Sequence, residues 1–359
     1  MQQLPTLTPC RRNVRLHKSA DEAVQETNDD AALSKASAVR RGYLDDAFIT
    51  KFMKKDARRP PIINRGTFVR THAIDVLVEQ FHETCRSQDA HAQIVSLGAG
   101  FDTRYFNLKK RGRSFKTYVE VDLSEIVERK MAVIQQHSEL TDIIGERQDV
   151  DSGLRGNDYV LMKGDLRHWK TVAEALSHIL DFDSPILFLS ECVLIYLNTH
   201  DSDTIVDWIS QHCLHAAFVL YEQILPDDPF GQVMIDNLRQ RHIELKSIWT
   251  YPTLQSQIDR FMSREWSKAF ALTISEIHDR VLTPEIRTRI SRLELFDEVE
   301  EWTLLGNHYC VCWATKGRMD DMKGLQVHRK RGQKEDIVPF TLWPQSDGAS
   351  VKLGSPERK

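Results

Sequence analysis

Five short apolar runs, each closed by polar or glycine residues and spaced by stretches of helical period, leave this chain few folds to adopt. They are AQIVSLGAG (92–100), KTYVEVD (116–122), DYVLMKGDLR (158–167), SPILFLSE (184–191) and HAAFVLYEQ (215–223). They are rich in β-branched and aromatic residues, as strands prefer. Between them SEIVERKMAVIQQH, RHWKTVAEALSHIL and THDSDTIVDWISQHCL repeat with helical spacing. Strands alternating with helices require right-handed crossovers, and hence a parallel sheet with helices on both faces. A mostly helical insertion over 225–265 breaks the rhythm, which resumes near Trp266–Leu272. HYCVCWATK supplies a last strand.

Length alone, at 359 residues, allows two domains. The pattern reduces these to one, spanning 31–317. Residues 1–30 are polar without apolar period and are expected to be flexible. Helical spacing begins at Asp30, with Leu33, Val39, Leu44, Phe48, Ile49 and Phe52 available for one face; it stops at Pro60 and Pro61 and resumes in THAIDVLVEQFHETC. Beyond Gly317 the periodicity ends, and 318–359 is expected to be a disordered tail.

The 48 basic and 52 acidic residues give a net charge of −4. Nine basic and six acidic residues fall beyond 317, which leaves −7 on the rest. No basic footprint for nucleic acid emerges, and VHRKRGQK in the tail reads as a solvated run. The longest apolar run, PILFLSECVLIYL, is interrupted by Ser190 and Glu191 and is too short to span a membrane. The first residues lack the apolar core of an export signal. The expectation is a soluble monomer in the cytoplasm, or in cytoplasm and nucleus, with its six scattered cysteines reduced. Cys310 and Cys312, two apart on a strand, share a face as buried small hydrophobes.

The sharpest local feature is Ser96-Leu97-Gly98-Ala99-Gly100 at the end of the first strand. Gly-x-Gly there permits a tight turn and close approach of a ligand to bare backbone, in the crevice where nucleotides bind doubly wound sheets. The position of a third dinucleotide-type glycine is Thr103, which disfavours a dehydrogenase. Asp122 ends the second strand 22 residues past Gly100, where a carboxylate accepts from both ribose hydroxyls of an adenosine cofactor; it is equally placed to cap the helix that follows. Asp165, after the third strand, either accepts from an adenine amino group or caps RHWKTVAEAL. Glu191 ends the fourth strand, where a buried charge needs a partner such as a ligand ammonium. Cys192 has no partner to make it a nucleophile.

This order of features looks like the sheet of S-adenosylmethionine-dependent methyltransferases. PPIINRGTFVRTHAID, IVSLGAGFDT, YVEVDLSEIVERK, GDLR, SECVLIYL, LELFDEVEEW and HYCVCWATKG resemble the leucine carboxyl methyltransferase family from about Ala31 to Gly317. The resemblance implies a seven-stranded, mostly parallel sheet with the helical N-terminal segment and the 225–265 insertion forming a lid. It implies S-adenosylmethionine as co-substrate, no metal, and methyl esterification of the C-terminal leucine of the protein phosphatase 2A catalytic subunit, regulating phosphatase assembly. By the same resemblance Gly98 lies against the cofactor, Asp122 binds its ribose, and Asp165 with Leu166 holds its adenine. Glu191 sits near its methionyl part and Lys35 approaches the methionyl carboxylate. Arg70 and Tyr196 face the methionine and leucine carboxylates as catalytic residues.

The chemistry suits this set. A terminal carboxylate with a pKa of about 3.3–3.7 is already an anion at neutral pH and needs no general base, so His72 near Arg70 reads as a solvent-facing or capping residue. What remains is alignment and exclusion of water. Arg70 grips the carboxylate through its planar fork, or else pairs with Asp75 or Glu79 at the surface. Aromatic and methionine residues of DPFGQVMIDNL and SIWTYPTL are available to line the pocket. The rival functions are a carboxyl methyltransferase of a modified tRNA nucleoside, disfavoured for want of propeller-like repeats, and a phosphatase-binding protein that has lost catalysis.

Overall fold

The computed structural model describes residues 20–53 and 57–327, all within one compact unit that ends at Val327. The basic run VHRKRGQK and Cys10 fall wholly or mainly outside these residues. The strands are β1 (Gln93–Leu97), β2 (Thr117–Asp122), β3 (Gln148–Val150), β4 (Gly153–Arg155), β5 (Tyr159–Lys163), β6 (Ile186–Glu191), β7 (Ala216–Gln223), β8 (Lys268–Thr273) and β9 (Tyr309–Lys316). They form one sheet in the order β3-β4-β5-β2-β1-β6-β7-β9-β8. The five at its centre are parallel, in register such as Val95 opposite Val119 and Phe188, while β9 runs antiparallel to both β7 and β8.

The sheet therefore has nine strands where seven were expected. The seven are present; the additions are β3 and β4, an antiparallel hairpin on the β5 edge. Three residues apiece, with β3 fully exposed, they carry no apolar alternation that a sequence pattern could register.

Side chains alternate between two cores with the period of a strand. Leu187, Leu189, Ala217 and Val219 face one, and Ile186, Phe188, Ala216 and Phe218 face the other. The first core is covered by helices α1 (Ala20–Arg40), α2 (Pro61–Ser87), α3 (Arg104–Lys110), α4 (Ser124–Gln136) and α5 (Ser138–Ile144). The second is covered by α6 (Trp169–Ser177) and α7 (Thr199–His212). The insertion supplies α8 (Pro229–Gln240) and α9 (Leu254–Met262), and α10 (Ile274–Glu276), α11 (Pro284–Ser291) and α12 (Val299–Asn307) complete the first face. Cys310 and Cys312 are fully buried on β9, as expected of core residues. No helix among the described residues is long and apolar enough to cross a membrane.

Three boundaries differ from expectation. Helix α1 begins at Ala20, inside the segment read as flexible. Its first half has no apolar stripe because its polar residues are spent on partners. Asp21 pairs with Arg167 at 2.8 Å, Asn28 Oδ1 accepts from the Phe101 amide at 2.8 Å, and Asp30 pairs with Arg59 at 2.8 Å and Arg241 at 2.5 Å. At the other end the chain continues past Gly317 as a packed segment, with Met319 and Leu325 buried against the first core. Within the insertion only the segment between α8 and α9 reaches the site, through His242, Glu244 and Lys246: α9 lies on the sheet, with Phe261 packed against Phe218 and Trp266.

Candidate active site

The parallel strands end at a cavity of about 540 Å³, bordered also by α1, α2, α12 and the segment of the insertion that follows α8. All eight residues singled out above, Lys35, Arg70, Gly98, Asp122, Asp165, Leu166, Glu191 and Tyr196, line it.

On the β1–β2–β5 side the wall is mostly backbone. Gly98 has φ +60°, and a Cβ there would lie 2.6 Å from Val193 Cγ2, so no other residue fits without displacement. The Gly98 amide donates to Val121 O (2.8 Å), while the Gly100 and Leu123 amides donate to the two oxygens of Asp122 (2.6 and 2.7 Å). Burial pushes the Asp122 carboxyl up, and those amides oppose the shift. Asp122 thus ties the glycine turn to β2 and does not cap α4, whose N-cap is Leu123.

Asp165 caps not α6 itself but the short turn Leu166–His168 that leads into it, accepting from Arg167 N at 2.9 Å. The Arg167 guanidinium also bonds to it, holding the carboxyl below its usual range, and reaches on to Asp21 of α1. Thr103, standing where a third glycine was absent, is fully buried; its hydroxyl donates to Asp46 and accepts from Lys35 Nζ at 2.9 Å. A side chain is needed there to join α1 to the glycine turn.

On the β6–β7–β9 side the wall is built from side chains. Arg104, 5% exposed, bonds through Nε to Asp75 (2.8 Å), through Nη1 to Asp102 and through Nη2 to Glu191 (2.9 Å). Burial works against its charge, but Asp102 and Glu191 outweigh it and raise the pKa further. Arg70 Nε lies 3.6 Å from Glu191, and its guanidinium carbon sits 5.4 Å from the centre of the Tyr221 ring. Neither surface pairing weighed for Arg70 occurs: Asp75 pairs with Arg104 and Glu79 with Arg113. Lys35 lies 2.9 Å from Asp46 and 3.7 Å from Asp102, which hold its ammonium charged against burial.

Tyr196 ends a short turn after β6 whose Ile195 amide donates to Glu222 Oε1 at 2.6 Å. Burial pushes the Tyr196 hydroxyl up, so it stays a neutral donor. Cys192 borders the cavity with φ +55°, its thiol pushed up to about 12 by burial and so not a nucleophile. His72, expected to be solvent-facing or capping, lies inside α2, half-buried and stacked 5.5 Å from Phe68, and burial lowers its pKa. From the insertion it is His242, Glu244 and Lys246 that reach the cavity; the expected aromatics do not, and Trp249 is 53% exposed.

Pattern reading missed Arg104, Asp102, Asp46 and Asn28. The run Asp102-Thr103-Arg104, charged residues directly after a buried strand and glycine turn, was the available signal. Among cavity-lining residues, Asn28 Nδ2, Arg70 Nε and Gln223 Oε1 are buried polar atoms without a hydrogen-bond partner in the protein, as expected of groups that a ligand completes.

A 3-2-1-type parallel sheet with a reversed last strand, a glycine turn after β1 and acids after β2, β5 and β6 defines the class: an S-adenosylmethionine-dependent methyltransferase. Residues 12–210 match the family model described as leucine carboxyl methyltransferase. The chain is 42% identical over 306 residues to the Arabidopsis thaliana leucine carboxyl methyltransferase 1 homolog, covering 84% of this chain and 92% of that protein. It is 39% identical over 321 residues to leucine carboxyl methyltransferase 1 of Yarrowia lipolytica (82% and 97%). It is also 40% identical over 303 residues to human tRNA wybutosine-synthesizing protein 4, covering 82% of this chain but 44% of that one. The chain belongs to the leucine carboxyl methyltransferase family, and is a carboxyl methyltransferase that uses S-adenosylmethionine.

Proposed function

We propose that this protein methylates the α-carboxylate of the C-terminal leucine of the protein phosphatase 2A catalytic subunit. The observation that carries this reading is Arg70: a cation whose Nε has no hydrogen bond in the protein and only a 3.6 Å ion pair to Glu191, between a glycine-lined and an aromatic-lined part of one cavity. A fork-shaped donor in such a place suits a carboxylate, and a recess at the end of the strands suits a chain end over an internal side chain.

The residues present fit the cofactor. The main chain at Gly98 lines the cavity, with Val193 packed against the glycine itself, Asp122 keeps lone pairs for ribose hydroxyls, and Asp165 with Leu166 borders the adenine position. Lys35 uses two of its three donors on Asp46 and Thr103, and the third remains for a methionyl carboxylate. The part-buried network of Lys35, Arg70 and Arg104 against Asp46, Asp75, Asp102 and Glu191 holds one more carboxylate than cation, which suits a ligand bearing a sulfonium, an ammonium and one carboxylate. When bound, that cofactor supplies an electrophilic methyl. A C–O bond forms as the C–S bond breaks, and no proton moves, so no base is required. The protein's part is to orient the carboxylate through Arg70 and the Tyr196 hydroxyl and to keep water out.

Incubation with methyl-labelled S-adenosylmethionine should place a base-labile ester on the phosphatase subunit, and deleting its last leucine should abolish the label. Label that persists after the deletion, or that appears on tRNA in place of the subunit, overturns the assignment.

A further inference from the structure

Of the thirteen glycines in the described residues, twelve are accounted for by the protein itself: eight have positive φ, and at Gly156, Gly164, Gly231 and Gly306 a Cβ would come within 3.1 Å of a neighbour. Gly66 is the exception. It sits inside α2, where alanine is the better helix former. An added Cβ would meet one atom, Trp302 Cζ3, at an ordinary 3.7 Å. Neither backbone conformation nor packing explains the missing side chain.

What lies beside it does. Gly66 lines the cavity one turn before Arg70, on the same face of α2, and opposite Trp302 of α12. Ile62 and Ile274 border the same region, together with Tyr309 at the start of β9. This is the β7–β9 end, away from the glycine turn and Asp122. An apolar space therefore adjoins the cation assigned to the acceptor carboxylate, at about one side chain's distance from it.

We propose that Gly66 is a specificity-determining residue: its absent Cβ leaves, between Trp302 and Arg70, the room taken by the leucine side chain of the acceptor. This deepens the function proposed above and rests on it. Filling that space by one methyl removes volume the acceptor needs while leaving the cofactor wall untouched, and a shorter terminal residue tolerates the change better than leucine.

The test compares the full-length wild type with Gly66→Ala, using labelled S-adenosylmethionine and the phosphatase subunit ending either in its own leucine or in alanine. Gly66→Ala should lower kcat/KM for the leucine terminus about tenfold, the scale of one methylene in an apolar pocket, and shift the leucine-to-alanine preference toward alanine. Cofactor affinity by calorimetry and the melting temperature should not fall. An unchanged preference in the folded variant, or an equal loss on both termini, overturns the proposal alone. A wild type that methylates neither terminus overturns the substrate reading and this proposal with it.

Discussion

The two ends of the cavity are made by different means. At the β1–β2–β5 end the shape is fixed by main chain: a positive-φ glycine, amides donating to Val121 and Asp122, and one carboxylate held between them. At the β6–β7–β9 end it is fixed by charged and aromatic side chains from α2, α3, β6, β7 and β9, with Arg104 joining three carboxylates. A backbone site is rigid because its hydrogen bonds belong to the fold. A side-chain site depends on buried charges that each cost desolvation unless paired. The first suits a cofactor of fixed structure, and the second suits discrimination among acceptors.

The largest effect should come from removing the cation of the side-chain end. Arg70→Ala should lower turnover by about 10²–10³-fold, the range seen when one preorganised donor is lost from a reacting site, while cofactor affinity is retained in part because the backbone wall is intact. Unchanged turnover in steady-state assays would remove Arg70 from the acceptor site. Equal collapse of cofactor binding would mean that the two ends are one unit.

Glu222 should show a second, smaller asymmetry. It is 1% exposed, accepts the Ile195 amide beneath Tyr196, and lies 3.6 Å from Arg260. Burial raises its pKa to about 7, opposed by Arg260 and by the Ile195 and Gln257 donors. An acid whose folded pKa exceeds its unfolded value binds protons more readily when folded. Its stabilising contribution is complete below the unfolded pKa near 4.5 and is lost as pH rises through 7. Denaturant titrations should show this group contributing a loss on the order of 2–3 kcal/mol between pH 4.5 and 8, and Glu222→Gln, which keeps the acceptor, should remove that slope. A slope that survives in the variant would assign it to other groups.

The same division explains what the sequence disclosed. The alternating runs, Gly98, Asp122, Asp165 and Glu191 were legible because strands announce themselves by period and because strand ends lie at fixed offsets from glycine turns. Arg104 and Asp46 were not, since their role depends on which distant carboxylate or hydroxyl meets them: Asp75 is 29 residues from Arg104, and Thr103 is 57 from Asp46. The start of α1 was hidden for a related reason, its ordering contacts including ion pairs to residues a hundred or more positions away. Gly66 was masked by its own helix, where a glycine reads as noise until the empty space beside it is visible.

The smallest expected effect tests whether the cofactor end really is held by backbone. Helix α1 closes over it through exposed pairs, among them Asp21 with Arg167, whose side chains are 49% and 39% exposed. Such pairs contribute about 0.2–1 kcal/mol and weaken with salt. Asp21→Asn should therefore raise the cofactor dissociation constant by no more than about fivefold, with the difference from wild type fading at high ionic strength. Asp165 keeps its bonds from Arg167, and the Gly98 turn is unaffected. A loss well beyond that, unchanged by salt in calorimetry, would show that the α1 latch and not the glycine turn holds the cofactor. The two ends of the cavity would then be built on the same principle after all.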